Sequence, residues 1–182
     1  MRRFLASFLE TIEVAFVAVV SVLVIRTFLI QPFLVNGESM EPNFSDGNYL
    51  LVDELSYRLR EPERGEVIVF RYPGNEAVFY IKRIIGLPGE KVVVNGGEVK
   101  IFNKENSGGF TLSESYLSIT DKTSGNLEIT LESDQYFVLG DNRSFSYDSR
   151  SWGTLAKNEI MGMVRLKLWP INKAEAVGTP NY

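Results

Sequence analysis

The chain has 182 residues, 19 Lys+Arg against 23 Asp+Glu, and a formal net charge of -4. That length holds one short anchor and one domain with a real core, and the acidic balance gives no footing for nucleic acid. With no histidine and no cysteine, it excludes disulfides, thiolate nucleophiles, imidazole and thiolate metal sites, and the Ser-His-Asp triad. Any activated nucleophile here must use Lys, a carboxylate or Tyr as its base.

Met1-Arg2-Arg3 is followed by the apolar run FLASFLETIEVAFVAVVSVLVI, residues 4–25. At 1.5 Å per helical residue such a run spans a hydrocarbon core of roughly 30 Å. Glu10 and Glu13 weaken its first half and Arg26 bounds its far end; a span shifted to 12–30 would make Arg26 snorkel. Three readings compete. A cleaved signal peptide lacks a small-x-small site after the run, a buried core helix suits the all-round apolar surface of 14–25, and a single membrane anchor suits the length. The anchor is the expectation taken forward. The Arg pair favours a cytoplasmic N-terminus, a bias blunted by Arg26, and puts residues 33–182 outside the cytoplasm.

The body reads as strands separated by Gly and Pro turns. Strands are expected over 48–55, 65–73, 78–85, 127–131, 135–140 and 160–169, and KVVVNGGEVKIF (91–102) reads as a hairpin turning on Asn95-Gly96-Gly97. Residues 103–126 are polar and Gly/Ser-rich, a loop excursion with weak strands. Only 53–60 suits a short helix. The fold class is therefore mostly β, one N-terminal transmembrane helix followed by a sandwich or barrel-like domain. Its division is 1–32 for anchor and connector and 33–182 for the domain.

Three stretches carry possible chemistry. In YIKRIIGLPGE (80–90), strand alternation puts Tyr80, Lys82 and Ile84 on one face and Phe79, Ile81, Arg83 and Ile85 on the other. Each apolar face thus carries one cation. Either both reach solvent near a strand end, or one is buried, which lowers a lysine pKa and makes it a usable base. GDNRSFSYDSRSWG (140–153) holds Asp141, Arg143, Asp148 and Arg150 among four serines. It is either a solvated turn or a buried network of Arg-carboxylate pairs. Its oxygens lack the spacing of a calcium loop. The third stretch is VNGESMEPNF (35–44), a Gly/Pro loop with Ser39 at its centre. A lone loop serine is ordinarily inert.

Taken in order after one apolar segment, GESMEP, YIKRIIGLPGE and GDNRSFSYDSRSWG closely resemble the bacterial type I signal peptidases, membrane-anchored Ser-Lys endopeptidases. The resemblance runs from the anchor to Trp169 and leaves out 103–126 and the tail after Pro170. It implies Ser39 as nucleophile and Lys82 as general base, with Met40 beside the substrate cleft and Ser146 orienting the lysine amine. Asp148 and Arg150 would form a supporting ion pair, and Asp141, Asn142 and Arg143 would be mainly structural. The Ser39 N–H would supply one oxyanion donor. Some members add a serine hydroxyl two residues before the nucleophile, where this chain has Gly37; the second donor is then a backbone group, a water, or absent. Glu38 puts an acid beside the nucleophile.

A Ser-Lys dyad fits a chain without histidine. From Ile30 to Ser39 the chain reaches at most about 30 Å, so Ser39 would stay near the outer membrane surface, where a membrane-inserted signal peptide presents its cleavage site. The expected function is removal of signal peptides from preproteins after a small-x-small motif. The partners are signal peptides and the lipid bilayer, with no metal, no nucleic acid and no cofactor. Two rivals remain: a soluble self-cleaving Ser-Lys repressor-type peptidase, and a membrane-tethered binding protein that kept the scaffold without the activity.

Overall fold

The computed structural model describes residues 2–28, 30–118, 121–180 and 182, with backbone alone for 2–6, 8, 23–28 and 30. The N-terminal run forms helix α1 (Arg2–Phe28, 27 residues). Its described side chains, among them Leu9, Val14, Phe16 and Val22, are exposed, which removes the buried core helix as a reading. Among the described residues no helix is long and apolar enough to cross a membrane, so the expected transmembrane helix is not established here; Glu10 and Glu13 dilute the part that is described. The side chains of Arg2, Arg3 and Arg26, on which the expected orientation rests, lie outside the described ones.

Twelve strands follow among the described residues. β1 (Ile30–Leu34), β2 (Tyr49–Asp53), β3 (Val67–Tyr72), β4 (Asn75–Gly86), β9 (Gln135–Leu139), β10 (Leu155–Ala156) and β11 (Ile160–Trp169) form one sheet in the order β1-β2-β11-β3-β4-β9-β10, with β12 (Glu175–Ala176) on β11. β5 (Lys91–Asn95), β6 (Glu98–Phe102), β7 (Phe110–Thr111) and β8 (Leu127–Thr130) form a second sheet in the order β7-β6-β5-β8. The short helices α2 (Ser56–Leu59) and α3 (Ser149–Trp152) lie between strands. The mostly β class holds, as a large open sheet with a smaller one.

The apolar run of β3 explains the centre of the large sheet. Val67 and Val69 join Val35, Met40, Phe44, Leu50, Val52 and Val164 on one side. Ile68 and Phe70 join Ile84, Tyr136, Val138 and Leu155 on the other. A strand covered on both faces reads as an unbroken apolar run rather than an alternating one. A third cluster, with Ile85, Val92, Val94, Ile101, Phe137 and Leu139, fastens the small sheet to the ends of β4 and β9.

Several boundaries differ from expectation. The connector holds β1, which pairs with β2 from Ile30↔Asp53 to Leu34↔Tyr49; Pro32 hid it, since proline is tolerated on a sheet edge, where its missing N–H faces no partner. The 91–102 hairpin turns on Gly96 and Gly97 alone, with φ of 63° and 91°, because Asn95 is still paired with Glu98. β4 starts three residues before 78.

Candidate active site

After β1 the chain turns sharply to present Ser39. Val35 N–H donates to Asn48 O and Gly47 N–H to Val35 O, closing the base of the loop. Gly37 N–H donates to Asp46 Oδ1 at 2.7 Å, and Gly37 has a φ of 91°. No atom crowds that position; it is the left-handed backbone that calls for glycine. With its N–H committed to Asp46 and no side chain, Gly37 offers no oxyanion donor. No hydrogen bond occupies the Ser39 N–H among the described residues.

The 140–153 stretch holds this loop from the other side. Asn142 N–H donates to Ser39 O at 3.1 Å, and Asn142 Nδ2 donates to Glu38 O at 3.0 Å. Asp141 N–H meets Met40 Sδ, and Asn43 Nδ2 donates to Asp141 Oδ2 at 2.8 Å. Ser39 is thus fixed by residues that no local sequence signal connects to it.

Lys82 and Arg83 are placed by β4, whose register sets Lys82 opposite Ile68 and Arg83 opposite Val67. Neither reaches solvent: each is 3% exposed. Arg83 forms a two-pronged pair with Asp141 at 2.8 and 2.6 Å and lies over the Tyr116 ring. Lys82 Nζ lies 2.7 Å from Ser39 Oγ and 2.8 Å from Ile81 O. Burial pulls the Lys82 pKa down to about 8; the charges of Asp148 and Asp141 oppose the shift without cancelling it. A substantial neutral fraction then exists near pH 8, which an exposed lysine lacks.

The polar stretch 140–153 is a buried network, not a solvated turn. Asp148 caps α3, accepts Gly140 N–H at 3.1 Å and pairs with Arg150 at 2.8 Å, so that expected ion pair is present. Arg143 is fully buried against Glu114, Thr123 and the Gly140 carbonyl. Glu114, Tyr116, Asp121 and Thr123 come from the 103–126 excursion, which sequence reading left without a role. Its acids and hydroxyls are the partners that make Arg143 buriable.

One expected placement differs. Ser146 Oγ is buried and has no hydrogen-bond partner among the described residues, so the expected bond to Lys82 is not formed; the amine's second contact is Ile81 O. Met40 is 1% exposed and packs beside Val35, Leu50 and Val69, which line the cleft, so it lies beside the cleft from within the core.

The cleft has a volume of about 340 Å³ and holds Ser39 and Lys82 together. Phe33, Val35, Leu50, Val69, Tyr80 and Ile81 supply apolar wall, and Asn36 and Glu38 supply polar rim. Sequence reading did not assemble this wall because four separate strands, β1 to β4, and the loop after β1 contribute it. A serine hydroxyl against a desolvated amine, in a cleft with an open N–H donor, is equipped for nucleophilic acyl transfer.

Comparisons with known proteins show what the chain is similar to. A family model described as signal peptidase, peptidase S26, matches residues 8–169. Signal peptidase I of Leptolyngbya laminosa is 37% identical over 181 residues, covering 94% of this chain and 85% of its own. Signal peptidase I of Bacillus caldolyticus is 36% identical over 175 residues, covering 87% and 90%. A crystal structure of a signal peptidase I from Enterococcus faecalis superposes with a TM-score of 0.48 at 31% identity, over 57% of this chain and 97% of that one.

Proposed function

This chain belongs to the signal peptidase family, peptidase S26, and from that premise we propose that Ser39 is its nucleophile and Lys82 its general base. The activity is that of a signal peptidase, a serine endopeptidase that removes signal peptides from preproteins. The observation that carries the residue roles is the 2.7 Å contact between Lys82 Nζ and Ser39 Oγ inside a buried, apolar setting.

In this reading the neutral Lys82 amine takes the Ser39 proton as Oγ attacks the scissile carbonyl. The Ser39 N–H faces the developing oxyanion. Lys82 then gives its proton to the departing amine, leaving an acyl-enzyme, and on regaining neutrality draws a proton from the water that hydrolyses the ester. Ile81 O holds the amine in line. Asp148 and Arg150 stiffen the loop that sets Ser146 against Gly140, and Gly140 abuts Ser39. Met40 supports the cleft from within the core. The family resemblance supports a preference for small side chains at the cut, the small-x-small pattern, in an apolar-walled cleft.

The exposed apolar side chains of α1 support a further part of the reading. The helix holds the peptidase domain, 33–182, at a lipid bilayer, with the N-terminus cytoplasmic and the domain outside the cytoplasm. Anchor and connector then occupy 1–32, and the enzyme meets substrates whose own helix lies in the membrane. No metal or cofactor takes part.

The test is cleavage of a purified preprotein followed by N-terminal sequencing of the product. Cutting after a small-x-small motif by wild type, and none by Ser39→Ala, is the expected result. Cutting by Ser39→Ala at the wild-type rate would overturn the assignment of the nucleophile.

A further inference from the structure

We propose that Phe145 and Tyr147 form an aromatic lip that grips an apolar side chain of the substrate close to the scissile bond. This specificity element rests on the peptidase reading above. Exposure alternates along 145–148: Phe145 is 76% and Tyr147 52% exposed, while Ser146 Oγ is buried and Asp148 is fully buried. The inward residues belong to the polar network. The outward ones are two large rings left in water, where each forgoes the stabilisation that burying such a ring supplies. Both line the cleft that contains Ser39 and Lys82.

Tyr147 is held to that cleft's wall. Its hydroxyl lies 3.2 Å from Tyr72 Oη, and its ring meets Tyr72 edge-on at 6.0 Å. Tyr72 stacks on Tyr80 at 4.9 Å, and the Tyr80 ring centre stands 5.4 Å from Lys82 Nζ. The series Tyr147, Tyr72, Tyr80, Lys82 ties the lip to the base. Asn142, three residues before Phe145, bonds the Ser39 carbonyl. At about 3.5 Å per residue the lip reaches no farther than roughly 10–18 Å from Ser39, or about five residues of an extended substrate. A lip so placed rewards an apolar side chain at one of those positions. A carboxylate there would meet two apolar rings and Glu38, which lines the same cleft.

A lipid surface is the other apolar medium such rings could meet. Their place in the catalytic cleft, and the fixing of Tyr147 to its wall, favour the peptide. The experiment uses the full chain in detergent and a set of soluble peptides. Each peptide carries Leu or Asp at one of the five positions on either side of the cut. Phe145→Ala and Tyr147→Ala should raise KM for the best Leu peptide by roughly tenfold with kcat within about twofold, because only uniform binding is lost. The preference for Leu over Asp should shrink in both variants. Tyr147→Phe, which keeps the ring, should retain most of the wild-type KM and preference. Unchanged KM and unchanged preference in both alanine variants would overturn the lip. So would normal peptide kinetics combined with weaker binding to anionic phospholipid vesicles, which would assign the rings to lipid. A wild-type chain that cuts no peptide would overturn the peptidase reading itself, and the lip with it.

Discussion

Lys82 Nζ sits 2.7 Å from Ser39 Oγ across 43 residues of sequence, and the two share one proton in the proposed reaction. Removing either should therefore remove the same catalytic unit. Ser39→Ala and Lys82→Ala should each lower kcat/KM by roughly four orders of magnitude or more, and the double variant should be no worse than either single. Single-turnover cleavage of a soluble peptide checks this. Additive losses would mean that the two side chains act separately.

The depressed Lys82 pKa sets two pH dependences. The base must be neutral, so kcat/KM should rise with pH along a limb centred near 8, not near the ordinary 10.5. Stability follows from the same shift. The folded pKa lies below the unfolded one, so the buried ammonium penalises the fold fully below about pH 8. That penalty disappears as pH rises toward 10.5. Lys82→Met should lack this rise and be more stable than wild type near pH 7, by roughly 3 kcal/mol at most. Denaturant melts of both proteins at pH 7 and pH 10 measure it. Equal slopes in the two proteins would mean that Lys82 titrates as a solvated amine.

Much of this was legible in the sequence, for physical reasons that differ by element. β3 and β11 announce themselves through long apolar runs bounded by turns. Ser39 and Lys82 were singled out by the family resemblance of GESMEP and YIKRIIGLPGE, with which a chain lacking histidine agrees. What stayed hidden depends on tertiary pairing. Pro32 masked β1, whose ladder partner among the described residues is β2. Nothing near Arg143 signals that Glu114 will neutralise it at 2.9 Å, or that Asn142 will hold the Ser39 carbonyl. Strand alternation alone leaves the burial of the two β4 cations open, because their partners, Ser39 and Asp141, come from loops distant in sequence.

Asp141 is a test of how much the buried pairs contribute. Asp141→Asn would leave Arg83 charged, 3% exposed, and short of its carboxylate. Breaking a buried pair from one side should cost roughly 3–5 kcal/mol. The effect on the base has a definite sign. The Asp141 charge holds the Lys82 pKa up against desolvation, so its loss should move the acidic limb of kcat/KM to lower pH. Thermal melts and a pH profile of the variant read both effects. A limb that moves upward instead would show that the variant has opened Lys82 to water.

Gly140 and Ser146 separate packing from chemistry beside the nucleophile. Gly140 has no unusual φ, but a methyl group there would collide with the Ser39 carbonyl oxygen and with Ser146 Oγ. The same carbonyl accepts Asn142 N–H, so relief of the clash must shift the nucleophile's own backbone. Gly140→Ala should lower kcat by roughly a hundredfold, the scale of an ångström-level misplacement of a reacting group. Ser146→Ala should behave differently. Its Oγ is buried without a partner among the described residues, so no hydrogen bond is lost, and stability should hold or rise by up to about 1 kcal/mol. The limb near pH 8 should also stay in place, since Ile81 O already engages the amine at 2.8 Å. Combining the two substitutions should recover little of the stability lost in Gly140→Ala, because Ser146 Cβ still stands 2.5 Å from the new methyl group, and kcat stays low because the Ser39 carbonyl remains in the way. Melting curves and pH-rate profiles for the three variants decide it. If Ser146→Ala alone shifts the limb or costs several kcal/mol, the hydroxyl bonds the lysine amine during turnover, and packing is the wrong account of that serine.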